Sequence, residues 1–280
     1  MIDLHSHILP GLDDGPRTFE ESVEMCRISY RDGITTIVAT PHTLNSVYET
    51  RRSTILARVQ ELNAAIREKL FSAPSPFPDR PAGSETRRLQ DPGPEFPPHF
   101  ANQMNLKILP GADVHFSEEV LSQRDQDKIT TIADGGKFLL LEFPPWGVPY
   151  GAEAVLFDLL ARRITPIISH PERNLEVARR PQRYAHMVQM GCLGQITGAS
   201  LMGGFGGEAK QAAENLLRSN LVHFIATDAH SANGRPPVLS EAVRAAAKIV
   251  GKEQAWKMVT EYPQAILEGR RPSLPEPSSL

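Results

Sequence analysis

The chain has 280 residues, 40% of them hydrophobic and 22% charged, with a formal net charge of −3. That is enough apolar material for one large core. The near balance of 30 basic and 33 acidic residues excludes the strong basic field that nucleic acid or an anionic membrane surface would need. No apolar run approaches the roughly 20 residues of a membrane span, and the first residues read as strand rather than leader. A cytoplasmic protein without membrane insertion is expected.

Strand and helix signals alternate along the chain. Met1–Leu4 is a short apolar run ending at His5. Phe19–Arg31 is amphipathic, with Thr18 placed to cap it and Glu20 and Glu21 in its first turn. The β-branched run Thr35–Thr40 reads as a buried strand and leads to Pro41-His42. Glu49–Phe71 is a long helix, with Ile55, Leu56, Val59, Leu62, Ile66 and Leu70 at helical spacing. Further strands are expected at Leu106–Leu109, Lys137–Glu142, Ile164–Ser169, Leu193–Thr197 and Val222–Thr227. Helices fall between them near Ala152–Arg163, Pro181–Met190, Glu208–Ser219 and Pro237–Val250, with a last one near Glu253–Glu268. Such alternation implies parallel strands with helical crossovers. Seven strands suit a barrel one unit short of the usual eight, and a doubly wound open sheet is the competing layout. The expected organisation is one domain over residues 1–270, interrupted by a Pro-rich insertion at 72–105 and followed by a flexible tail at 271–280. Eight prolines lie between Pro74 and Pro98, and the insertion reads as a surface loop.

The unusual polar residues collect at the C-terminal ends of these strands, where parallel α/β folds place their active sites. His5, His7 and Asp13-Asp14-Gly15 follow the first strand, His42 the second and Asp113 the third. Glu142 ends the fourth, His170 follows the fifth, and Asp228 and His230 follow the seventh. A His-x-His at a strand end points both imidazoles the same way, because side chains alternate faces with period two. A lone His after a strand is usually a hydrogen-bonded turn residue, and a lone Asp usually a helix cap. Recurrence at almost every strand end is what those readings leave unexplained. Imidazole and carboxylate without thiolate suit Zn²⁺, Mn²⁺, Fe²⁺ or Mg²⁺. His5, His7, Asp14, His42, Asp113, Glu142, His170, Asp228 and His230 are too many ligands for one ion, so a cluster of two or three with a bridging carboxylate is expected. Such clusters activate water and clamp an oxyanion.

Arg173 and Arg235 lie on the same rim loops, and guanidinium groups suit phosphate oxygens. Cys26 and Cys192 sit in apolar patterns and read as buried reduced thiols. Neither lies in a Cys-x5-Arg loop, which disfavours a thiolate nucleophile.

Taken in order, Met1-Ile2-Asp3-Leu4-His5-Ser6-His7-Ile8-Leu9-Pro10, Asp13-Asp14-Gly15-Pro16, Ala39-Thr40-Pro41-His42, Leu109-Pro110-Gly111-Ala112, Leu141-Glu142-Phe143, His170-Pro171-Glu172-Arg173 and Thr227-Asp228-Ala229-His230-Ser231 form a specific set. The set resembles the polymerase-and-histidinol-phosphatase (PHP) superfamily. More narrowly, it resembles the bacterial manganese-dependent protein-tyrosine phosphatases of capsule and exopolysaccharide operons. The resemblance implies a distorted seven-stranded TIM-like barrel holding three ions, Mn²⁺ foremost, with Fe, Zn, Co or Mg as alternatives. By that analogy His5, His7 and Asp228 hold the first ion, Glu142 and His170 the second, and Asp14, His42 and His230 the third. Asp113 falls at the bridge between the first two, where the relatives usually carry the longer Glu. His115, two residues on, is read as a neighbour on the rim. Arg173 and Arg235 match the phosphate-binding arginines.

The implied reaction is hydrolysis of a phosphate monoester by water activated at the cluster, without a covalent enzyme intermediate. The implied substrate is the Tyr-rich tail of a bacterial tyrosine autokinase that controls polysaccharide polymerisation and export. Three alternatives stand beside it: a small-molecule phosphatase of the histidinol-phosphatase type, a weakly active regulator that binds the kinase, and a metal-dependent amidohydrolase. The last typically needs a carboxylated Lys on a mid-barrel strand, and no strand end offers one. The sequence assigns no oligomeric state.

Overall fold

A computed structural model describes residues 1–71, 106–124 and 126–278. The expected insertion at 72–105 lies outside the described residues.

Among the described residues, nine strand segments stand where seven strands were expected: β1 (Ile2–Ser6), β2 (Thr36–Ala39), β3 (His42–Thr43), β4 (Lys107–Pro110), β5 (Asp113–His115), β6 (Phe138–Glu142), β7 (Thr165–Ser169), β8 (Leu193–Thr197) and β9 (Phe224–Ala226). They form two parallel sheets in the orders β1-β2-β4 and β3-β5-β6-β7-β8-β9. The difference arises on two chain passes that each break in the middle. Pro41 and Pro110 carry no amide hydrogen to give to a ladder, and each lies at such a break. The pairing resumes in the same register on the far side, Ala39 opposite Pro110 and then His42 opposite Asp113. The two sheets also approach at their other ends. Ser6 bridges Ala229, Asp228 N donates to His5 O at 2.8 Å, and His7 N donates to Ala229 O at 2.9 Å.

The helices are α1 (Phe19–Arg31), α2 (Arg52–Phe71), α3 (Val120–Arg124), α4 (Ala152–Ala161), α5 (Leu175–Arg179), α6 (Gln182–Met190), α7 (Gly198–Leu201), α8 (Gly206–Arg218), α9 (Ser240–Val250), α10 (Lys252–Lys257) and α11 (Glu261–Leu267). Thr18 caps α1 in a full capping box, accepting from Glu21 N while the Glu21 carboxylate accepts from Thr18 N. Glu49, expected inside the second helix, instead bridges Thr43, so α2 starts at Arg52. The single last helix divides into α10 and α11. Pro263 is tolerated only in a helix's first turn, which forces a fresh start at Glu261. Residues 270–278 run without regular structure, and Ser278 N donates to Ser219 O at 3.0 Å.

Apolar side chains from every strand except the two-residue β3 join helix faces in one connected core. Ile167, Ile168, Leu140 and Leu141 are essentially inaccessible, as fits strands covered on both faces. Cys26 and Cys192 are free and buried within it. Among the described residues, no helix is long and apolar enough to cross a membrane.

Candidate metal centre

Because the strands are parallel, their C-terminal ends share one rim. His5, on β1, is fully buried, and His7 follows one residue beyond the strand. His42 opens β3, Asp113 opens β5 and Glu142 closes β6. His170 and Asp228 follow β7 and β9 with left-handed φ values of 33° and 50°. For residues other than glycine such strain persists only where surrounding contacts over-determine it, and it clusters at functional sites.

The structure gathers the candidates into four overlapping groups whose ligand atoms lie within 4.8 Å of one another: His5, His7 and Asp228; His7, Asp14, His42 and His230; His5, Asp113 and His170; and His42, Asp113 and Glu142. The three-ion scheme drawn from resemblance separates these residues more cleanly than the geometry does, since His7 and His42 each belong to two groups. Asp113 sits at the junction. Its Oδ2 is 3.5 Å from His5 Nε2, 3.6 Å from His170 Nε2 and 3.7 Å from His42 Nδ1, while Oδ1 accepts from Ser169 Oγ. His115 joins none of these groups, and its Nδ1 lies 3.6 Å from Glu142 Oε2.

The fitness of these groups for an ion rests on the donor set. His5 Nδ1 donates to Gln195 Oε1 at 2.8 Å, His7 Nδ1 to Asp13 Oδ2 at 2.6 Å, and His230 Nδ1 to the Asp228 carbonyl at 2.9 Å. With each Nδ1 occupied as donor, each Nε2 of the neutral ring carries a lone pair. The Nε2 atoms of His5 and His7 face each other at 3.1 Å, so a proton or a metal cation must lie between them. Asp113 Oδ2 and His42 Nδ1 are buried with no hydrogen-bond partner. Most cluster contacts span 3.3–3.8 Å, long for hydrogen bonds. Two ligands about 2.1 Å from one ion stand roughly 3.0 to 3.4 Å apart, for octahedral to tetrahedral angles. The donor set and the spacing fit divalent cations.

The electrostatics agree. Burial alone would lower the His7 pKa, but Asp13 and Asp228 raise it to about 10. Burial would raise the Asp228 carboxyl, but His5 and His7 hold it well below the usual range. The pocket therefore favours positive charge held among ionised carboxylates. Arg173 Nη1 and Arg235 Nη2 converge on one oxygen, Asp228 Oδ2, at 2.6 and 2.5 Å, which leaves an excess of positive charge beside the cluster. A cleft of about 120 Å³ opens there, walled by Glu142, His170 and Arg173 on one side and Phe143, Pro145 and Pro171 on the other.

Sequence reasoning gave no role to several residues that matter here. Asp13 adjoins Asp14 in the chain, yet its side chain is fully buried behind His7, while Asp14 is half exposed and faces His230. The loop bearing Asp13 crosses so close to β1 that a Cβ on Gly15 would lie 2.3 Å from His7 O. Gln195 holds His5, and its only signal was an amide inside an apolar strand. Glu172 is buried; its Oε1 accepts from Thr197 N and Ser200 Oγ and so ties the Arg173 turn to α7. Phe205 lies beneath both arginines, with its ring centroid 4.3 Å from Arg173 Cζ and 5.3 Å from Arg235 Cζ.

The pattern of the capsular polysaccharide synthesis CpsB/CapC family matches residues 1–73 and 99–268. The chain belongs to this family. It is 33% identical over 270 residues to the tyrosine-protein phosphatase YwqE of Bacillus subtilis, spanning 96% of this chain and 92% of YwqE. To the tyrosine-protein phosphatase CpsB of Streptococcus agalactiae it is 30% identical over 273 residues, spanning 96% and 98%. Among solved structures it resembles one from the work on YwqE of Bacillus subtilis and CpsB of Streptococcus pneumoniae, described as unique metal-dependent tyrosine phosphatases. The TM-score is 0.84 at 31% identity, covering all of this chain and 99% of that one. A D-hydantoinase, 11% identical with a TM-score of 0.50, shares the fold alone.

Proposed function

We propose that this protein is a manganese-dependent tyrosine-protein phosphatase of capsular or extracellular polysaccharide synthesis, acting in the cytoplasm on a bacterial tyrosine autokinase. The observation that carries the reading is the convergence of imidazole nitrogens and ionised carboxylates within 4.8 Å of one another, with two guanidinium groups beside them. The relatives' shared designation as tyrosine-protein phosphatases supports it. The proposed architecture is a distorted barrel of seven chain passes, β2 with β3 and β4 with β5 each counting once.

His5, His7 and Asp228 would hold one ion, Glu142 and His170 a second, and Asp14, His42 and His230 a third, with Asp113 between the first two. The ions would supply water activation and charge neutralisation at phosphorus. The protein's own groups set the geometry. Asp13, Gln195 and the Asp228 carbonyl hold the Nδ1 atoms of three imidazoles and so aim their Nε2 atoms at the cluster, where a bound cation would take the place of a proton. Arg173 and Arg235 would bind the phosphoryl oxygens and stabilise the charge that grows there. A cysteine nucleophile has no place in this scheme, because burial pushes the Cys192 thiol up to about 12 and Cys26 higher still.

The deciding experiment pairs metal analysis of the purified protein with hydrolysis of a phosphotyrosyl peptide and of histidinol phosphate. Bound Mn²⁺ with much higher kcat/KM on the peptide is expected. Greater efficiency on histidinol phosphate would replace the protein substrate with a small molecule.

A further inference from the structure

Phe205 has no role in the core. It sits half-buried in the run Gly203-Gly204-Phe205-Gly206-Gly207, between α7 and α8, and is absent from the connected apolar cluster. Its neighbours are instead the Arg173 and Arg235 guanidinium groups, at 4.3 and 5.3 Å from the ring centroid. An aromatic face attracts a cation through its quadrupole. Here one ring serves two cations that reach the site from different loops, after β7 and after β9. Gly203 and Gly206 adopt φ values of +84° and +89°, which side-chain-bearing residues rarely do, so the loop that presents the ring depends on glycine.

The two arginines repel each other, and the carboxylate oxygen they share offsets only one of their charges. Bringing phosphate oxygens to them requires both guanidinium planes to keep their donors aimed at the cluster rather than into solvent. Each side chain is about one-third exposed, 28% for Arg173 and 31% for Arg235, so burial does not hold them. Among the described residues, Asp228 is the sole hydrogen-bond partner of each guanidinium group, and the Phe205 ring lies against both.

We infer that Phe205 is a positioning residue that holds Arg173 and Arg235 as one phosphate-binding pair. The inference rests on the proposed role of these arginines as phosphate ligands. The ring itself does not wall the cleft beside the cluster. It acts by the attraction of its π face for two guanidinium groups, so shape alone cannot replace it.

The test is calorimetric binding of inorganic phosphate to the metal-loaded protein, alongside KM and kcat for a phosphotyrosyl peptide. F205L keeps an apolar side chain of similar bulk but removes the π face. It should weaken phosphate binding and raise KM by roughly 5- to 30-fold, the combined effect of two exposed cation–π contacts, with bound metal unchanged. F205Y should restore both values. In an R173A/R235A background, F205L should have no further effect. F205L indistinguishable from wild type would overturn the inference, as would an F205L effect that persists without the arginines. A protein that binds phosphate in this Phe205-dependent way yet does not hydrolyse phosphotyrosine would defeat the proposed function and uphold this inference.

Discussion

Asp13→Asn is a severe test of how the centre is held, because it changes one atom and no volume. The carboxylate satisfies three donors with two oxygens. Oδ2 accepts from His7 Nδ1 at 2.6 Å and from His42 N at 3.0 Å, and Oδ1 accepts from Gly15 N at 3.0 Å. An amide has one acceptor oxygen. Turned toward His7, it sets its NH2 against the Gly15 amide. Turned the other way, it donates to His7 Nδ1, moves the ring proton to Nε2, and removes the lone pair from the cluster. Either arrangement leaves a buried donor without a partner or a ligand lost, at a cost of about 1–3 kcal/mol. Loss of a group that orients a metal-bound imidazole typically weakens metal binding by roughly 10- to 100-fold. Titration of chelator-stripped protein with Mn²⁺ should show a loss of that size, while circular dichroism reports an intact fold. Affinity within twofold of wild type would refute the claim that Asp13 fixes the His7 tautomer.

Chelation should abolish phosphatase activity and lower Tm, and Mn²⁺ should restore both; full activity after verified metal removal would end the cluster reading. Asp228→Ala should remove bound metal and most of kcat, since it takes away a ligand and leaves two guanidinium groups unpaired; elemental analysis and turnover check it together. Arg235→Ala should raise KM with metal content unchanged, and an unaltered kcat/KM would take Arg235 out of the phosphate site. Far from the cluster, burial lowers the His223 pKa to about 3, and its ring Nδ1 accepts from Gly194 N. The unfolded chain binds a proton there near pH 6.5 and the fold does not, so this contribution is full above that value and is lost as pH falls toward 3. His223→Asn should therefore flatten the acid limb of stability between those pH values relative to wild type, as urea melts at several pH values would reveal.

The order of elements was legible because apolar periodicity and turn chemistry are local. Thr18 and Glu21 announce a capping box within four residues. Ligand candidates were legible for a related reason. Parallel strands all end on one side, so a polar residue just beyond a buried run is placed on the rim by topology. The strand count was not legible at Pro41 and Pro110, where the chain passes straight on but the hydrogen-bond ladder stops. Nor was the overlap of the ligand groups, since sequence gives each histidine a strand but not the directions in which its two nitrogens point.

By itself, the sequence determined that imidazoles and carboxylates recur at the C-terminal ends of parallel strands, with two arginines on the same loops. The resemblance already singled out Asp14, but only the tertiary structure put its neighbour Asp13 behind His7. It also placed Gln195 against His5 and Phe205 beneath both arginines. The physical reason is range. Periodicity fixes what a residue does relative to its own strand or helix, whereas the partner of a ring nitrogen or a guanidinium is chosen by segments that meet only after the chain has closed around them.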